Sequence, residues 1–101
     1  MKILAMSRFL PGATMDDVNA RLREEASAGW ALYKSGVIRE WYFRTDAPGA
    51  VVMLECADVE EAKRTFSSLP LVKAGLIDFD FFPLGPYLPL EALFGGPPAG
   101  G

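Results

Sequence analysis

Two carboxylates stand two residues apart in the apolar run Leu76-Ile77-Asp78-Phe79-Asp80-Phe81-Phe82-Pro83-Leu84. Alternation along a strand puts Ile77, Phe79 and Phe81 on one side, and Asp78, Asp80 and Phe82 on the other. Carboxylates so spaced on one strand face lie about 7 Å apart. In a dry cavity, desolvation and like charge both raise a carboxyl pKa, so one group stays protonated near neutrality while its neighbour ionises. Acid/base catalysis uses that division. The plainer reading is an edge strand whose wet side carries charge to block aggregation.

The run Arg39-Glu40-Trp41-Tyr42-Phe43-Arg44 holds the next candidates. One face of such a strand offers Arg39 with Trp41 and Phe43; the other offers Glu40 and Arg44 with Tyr42. A guanidinium grips a carboxylate or enolate oxygen bidentately, and aromatic rings line a slot for a flat ligand. Cross-strand ion pairs and core packing account for the same residue types. Ser7 and Arg8 raise a related question, because a charge in mid-sheet needs a partner. Asp78 or Asp80 is the candidate partner. The candidate set is therefore Asp78 and Asp80 as catalytic residues, with Ser7, Arg8, Arg39, Trp41 and Tyr42 contacting substrate. Glu55 reads as the solvated end of a strand, and Cys56 as a small core residue rather than a nucleophile.

Histidine is absent from the chain. The commonest general base and metal ligand is therefore missing, and catalysis must use carboxylates, Arg, Lys, Tyr or the lone cysteine. Metal-ligand spacing, a P-loop and a dinucleotide motif are also missing from the sequence, so neither metal nor cofactor is expected. A length of 101 residues bounds the chain to one domain. A net charge of −3 with scattered basic residues argues against nucleic acid and against anionic membranes. Cys56 alone cannot form an intrachain disulfide. Arg8 interrupts the N-terminal apolar run too early for a signal peptide, and no stretch approaches the roughly 20 apolar residues of a membrane span. A cytoplasmic protein is expected.

The elements that must position these residues follow from periodicity and punctuation. Residues 2–10 are apolar at most positions and read as a central strand, broken by Pro11-Gly12. Thr14 caps a helix with Met15, Val18, Leu22, Ala26, Trp30 and Tyr33 on its buried face, ending at Gly36. Residues 37–45 and 50–56 form a hairpin across Asp46-Ala47-Pro48-Gly49. Asp58, with Glu61 three residues on, starts a second helix that buries Val59, Ala62, Phe66 and Leu69 and stops at Pro70. The last strand spans residues 76–84. The order is β-α-β-β-α-β, an α+β ferredoxin-like fold with a four-stranded antiparallel sheet and both helices on one face. Half of the residues are hydrophobic, and an apolar sheet face is rarely left in water. Two such sheets packed face to face give a homodimeric α+β barrel enclosing a cavity for a small hydrophobic or anionic metabolite. The domain covers residues 1–94, of which 86–94 form an arm across the partner with a helical turn over residues 90–93. Residues 95–101 read as disordered.

Ser68-Leu69-Pro70-Leu71 followed by Asp78-Phe79-Asp80 resembles the muconolactone isomerase family. Phe9-Leu10-Pro11 stands where those isomerases carry His-Leu-Pro, and Gly36 followed by Arg39 and Thr45 extends the likeness over most of residues 3–84. The resemblance implies a dimeric α+β barrel or larger ring in which the tail contacts neighbouring subunits. It also implies a cofactor-free shift of a carbon–carbon double bond in an unsaturated lactone from aromatic-acid breakdown. In that chemistry Asp78 or Asp80 would shuttle the proton and Arg39 or Arg8 would hold the enolate oxygen. Two alternatives stand beside it: a cofactor-free monooxygenase of the antibiotic-biosynthesis type, and a non-catalytic ligand-binding or assembly domain.

Overall fold

In a computed structural model of the chain, residues 1–95 are described. The expectation of disorder over 95–101 therefore falls, Gly95 apart, outside the described residues. Strands β1 (Lys2–Phe9), β2 (Ile38–Phe43), β3 (Ala50–Glu55) and β4 (Ile77–Leu84) form one antiparallel sheet in the order β2-β3-β1-β4. This is the ferredoxin-like arrangement. β1 lies inside the sheet and β4 forms one edge.

Register sorts the side chains onto two faces. Ile3 and Ala5 of β1, Val52 and Leu54 of β3, and Ile77 and Phe79 of β4 are buried on the helix side. Helix α3 (Val59–Phe66) seats Phe66 against them, edge-on to Phe79 at 4.8 Å and to Phe81 at 5.7 Å. Burying a side chain of this size contributes about 1.5–3 kcal/mol. The Asp58 carboxylate accepts from the Glu61 N–H at 2.7 Å, and the Glu61 carboxylate reaches back to the Ala57 N–H at 2.8 Å. The expected cap at Asp58 is thus formed, with its return bond one residue earlier than in a standard capping box.

The first helix is not continuous. It divides into α1 (Met15–Asn19) and α2 (Leu22–Lys34). The Arg21 guanidinium takes the Asp17 carbonyl at 3.4 Å, the acceptor that the Arg21 N–H would use in an unbroken helix. The Arg21 N–H turns to Val18 instead. This break rotates α2 about its axis. Val18 is buried, but Met15, Leu22, Trp30 and Tyr33 are exposed, so the apolar face expected from spacing is not the one that packs. The face of α2 turned to the sheet carries Glu25, Ala28, Gly29 and Leu32.

Pro70 opens a short helix, α4 (Pro70–Lys73), rather than only ending α3. Proline has no N–H to satisfy at a first helical position, and Leu69 before it is extended. A bulge at Arg39 shifts the β2–β3 register between Ile38 and Glu40. Beyond it, Trp41 pairs with buried Val52 on the helix side, while Glu40 and Tyr42 pair with Met53 and Val51 on the other face. The choice left open by alternation is thereby settled for β2.

On that second face Leu4, Met6, Val51 and Met53 are half-buried, and Tyr42, Phe82 and Leu84 are exposed. No described element covers it. A 3₁₀ helix spans Leu88–Phe94, longer than the single turn expected, with Tyr87, Leu90, Leu93 and Phe94 exposed. No helix of the described residues is long and apolar enough to cross a membrane.

Candidate functional site

A concavity of about 540 Å³ lies on the helix side of the sheet, between α2 and the β2–β3 hairpin. Its floor is Ile38, Val52, Phe66 and Phe79; Trp30, Trp41 and Phe43 flank it, and Glu25 borders it from α2. Tyr33 stacks on Trp30 and on Trp41, each at 5.4 Å between ring centres and within about 21° of parallel. Such contacts add about 0.5–1.5 kcal/mol each beyond area burial, so they fix the indoles beside the opening.

Gly29 makes this arrangement possible. A Cβ there would sit 3.0 Å from Cζ3 of Trp41. Gly29→Ala gains about 1 kcal/mol of helix propensity but pushes a half-exposed indole outward. Its fold is expected to persist, with ligand affinity reduced about tenfold. Isothermal titration checks this, and unchanged affinity would contradict the placement of Trp41 at the pocket.

Glu25 is the charged side chain lining this pocket among the described residues. Its Oε1 accepts from the Leu71 N–H in the first turn of α4 at 3.0 Å. Burial pushes its carboxyl pKa up from 4.5, with the Leu71 hydrogen bond acting against that rise. A carboxyl with raised pKa in an apolar cleft is the physical setting of a general acid or base. The shift also has a sign for stability. The folded state binds this proton more tightly than the unfolded chain, so its contribution is fully present below about pH 4.5 and lost as pH rises through the folded value. Thermal melts of Glu25→Gln against the native chain are expected to diverge above that pH, the Gln form melting higher at neutrality. Superimposable curves at all pH values would contradict the burial of this carboxyl.

The residues singled out in the sequence are divided between the two sides of the sheet. Arg8 lies across β1 from Asp78 in register, on the face opposite the pocket. Its guanidinium is 3.6 Å from Asp78 and 3.3 Å from Asp80, all three side chains being about half exposed. The expected partner of Arg8 is thus found in both carboxylates. Asp78 Oδ1 also accepts from the Phe79 N–H at 2.9 Å. Trp41 borders the helix-side pocket with its side chain; Tyr42 meets its rim from β2, but the register turns its side chain to the open face. Ser7 does not line it; its Oγ accepts from the Ala50 N–H at 2.8 Å and ties β1 to the start of β3. Arg39 lies outside as well, its Nε donating to the Gly36 carbonyl at 2.6 Å. Cys56 is buried, and burial pushes its thiol pKa up, away from a reactive thiolate. No group of three or more metal-ligating side chains occurs among the described residues.

Glu25, Gly29 and Trp30 were not singled out by chemical type. The signal was available in the spacing of Glu25, Ala28, Gly29 and Leu32, a carboxylate set into a stripe of small and apolar residues at helical intervals.

No family model matches the chain, and no curated protein does. Among solved structures, the chain is similar to 5-chloro-2-hydroxyhydroquinone dehydrochlorinase from Burkholderia phenoliruptrix AC1100, solved in complex with 2,5-dihydroxybenzoquinone. The TM-score is 0.63 at 18% sequence identity, covering 84% of this chain and 94% of the other. At this identity the likeness establishes the shared fold.

Proposed function

We propose that this chain is a small-molecule-binding α+β barrel protein that takes a flat ring metabolite into its helix-side pocket and moves a proton within it without a cofactor. The observation that carries this reading is Glu25, a carboxylate on the wall of an apolar, aromatic-flanked pocket of about 540 Å³. In the step proposed, the Glu25 carboxylate takes a proton from the ligand beside a carbonyl. The freed electron pair shifts the double bond, and the resulting carboxylic acid returns the proton at another carbon. The ligand is isomerised, and Glu25 ends as it began. Of the expected contact residues, Trp41 touches the substrate in this reading, since the register turns the Tyr42 side chain to the other face. The structural neighbour, a dehydrochlorinase of a hydroxyhydroquinone, supports a metabolite of aromatic breakdown as the ligand.

The test is proton NMR in D₂O with an unsaturated lactone and with 1,2,4-trihydroxybenzene as substrates. The expected result is protein-dependent deuterium incorporation at carbon. No incorporation, with oxygen uptake in its place, would overturn the isomerase reading in favour of the monooxygenase. Neither activity would leave a ligand-binding domain.

A second placement of the chemistry is favoured by Arg8, held between Asp78 and Asp80 on the open face. In a homodimer formed through that face the three groups would line an enclosed cavity, the Asp pair shuttling the proton and Arg8 holding an oxygen. Loss of turnover in Asp78→Asn/Asp80→Asn with Glu25→Gln unaffected would move the reaction there.

The homodimer, or a larger ring, and a cytoplasmic location belong to the same proposal. Exposed Phe82 and Leu84 on the open face and Leu90, Leu93 and Phe94 on the 3₁₀ helix support self-association. Truncation after Pro86 is expected to weaken the dimer about tenfold in sedimentation equilibrium. An unaltered dimer would remove the arm from the interface.

A further inference from the structure

We infer that the helix-side pocket sorts ligands by charge: it accepts a neutral hydroxylated ring, whose hydroxyl hydrogen-bonds to Glu25, and rejects ring metabolites that carry a carboxylate. This rests on the pocket being the ligand site, and it decides between the hydrophobic and anionic ligand classes that the sequence left open.

The argument is one of charge placement. Glu25 lines the pocket, and no Lys or Arg does among the described residues. Arg23 and Lys34 of α2 do not line the pocket, and several other cations are committed elsewhere. Arg39 donates to the Gly36 carbonyl, and Arg44 makes a paired contact to Asp46 at 2.9 and 2.7 Å. Arg21 donates to the Asp17 carbonyl. Arg8 lies across the sheet against Asp78 and Asp80. An anionic ligand entering between Trp30, Trp41 and Phe79 would lose its water, gain no counter-charge and face a carboxylate in a medium of low polarity. A phenolic hydroxyl meets the reverse situation. With Oε1 of Glu25 held by the Leu71 N–H, Oε2 remains as an acceptor directed by the same carboxyl plane, and a charge-assisted O–H···O bond is strong. A phenol of ordinary pKa near 10 stays neutral at pH 7, so burial in the slot costs little. The indoles of Trp30 and Trp41, each stacked on Tyr33, give its ring apolar aromatic neighbours.

The probes are hydroquinone and gentisate, which differ by one ring carboxylate. Each is titrated at pH 7 and low salt into the full chain and into Glu25→Gln, with methyl NMR as the readout. The expected result is perturbation of the Ile38 and Val52 methyls. Hydroquinone is expected to bind at least about tenfold more tightly than gentisate to the native chain. In Glu25→Gln the preference should shrink to about threefold or less. Added salt should improve gentisate binding to the native chain alone. Equal or tighter gentisate binding at Ile38 and Val52, or a preference unchanged in Glu25→Gln, would overturn the charge selection and leave the pocket standing. Perturbation confined to Leu4 and Val51 on the open face, or no binding of either probe, would overturn both the selection and the pocket as the ligand site.

Discussion

Glu25→Gln is expected to lower turnover of a ring substrate by about 10²–10⁴-fold, the usual contribution of a positioned general base. The substitution is nearly isosteric, and its amide oxygen can still accept the Leu71 N–H now held by Oε1 at 3.0 Å. The wall of the pocket therefore stays in place, and ligand affinity changes far less than the rate. The native pH profile carries the same signature. Because burial raises the Glu25 pKa above 4.5, the basic form is lost on acidification earlier than for an exposed carboxylate. Activity should fall through a limb lying above that value. In Glu25→Gln the limb should vanish along with most of the rate. Steady-state kinetics between pH 4 and 8 check both, and a variant that turns over at the native rate would remove Glu25 from the chemistry.

Met53→Asp is expected to dissociate the proposed homodimer, raising its dissociation constant by about 10²–10³-fold or more. Met53 lies between Leu4 and Glu40 in register on the uncovered sheet face. A new carboxylate there would be buried against a second apolar sheet and would sit beside Glu40, gaining like-charge repulsion and no cation. In an isolated subunit position 53 lies half-buried on an uncovered face, where a carboxylate can still reach water, so the fold should survive. Sedimentation velocity separates the outcomes: a folded monomer is expected, and an intact dimer at the native concentration would place the interface elsewhere. The helix-side pocket lies across the sheet from Met53, so hydroquinone binding in the monomer is expected to persist.

The fold was legible because each local signal agreed with the global one. The near-uniform apolarity of residues 3–6 marked a strand inside the sheet, and β1 holds that place. Alternation in the last strand put Ile77 and Phe79 into the core and Asp78 and Asp80 outside it, as observed. What spacing could not convey was the break at Arg21. There the Arg21 guanidinium, not the Arg21 N–H, meets the Asp17 carbonyl, and no glycine or proline marks the place. That break rotates α2, exposes Trp30 and Tyr33, and brings Glu25 to the pocket. A bulge at Arg39 had the same effect on β2: it decided which of two alternating faces carried Trp41. Candidate residues chosen by chemical type alone were consequently split across the sheet, with Arg8, Asp78 and Asp80 on one side and Trp41 on the other. A pocket on the helix side follows from geometry that neither periodicity nor residue type contains.

The most direct test of the account is a structure of the protein with hydroquinone bound. The ring is expected between Trp41 and the floor formed by Val52 and Phe79, with one hydroxyl within about 2.5–3.0 Å of the Glu25 carboxylate. A ring seated instead on the open face against Arg8, Asp78 and Asp80, with the helix-side pocket empty, would contradict it.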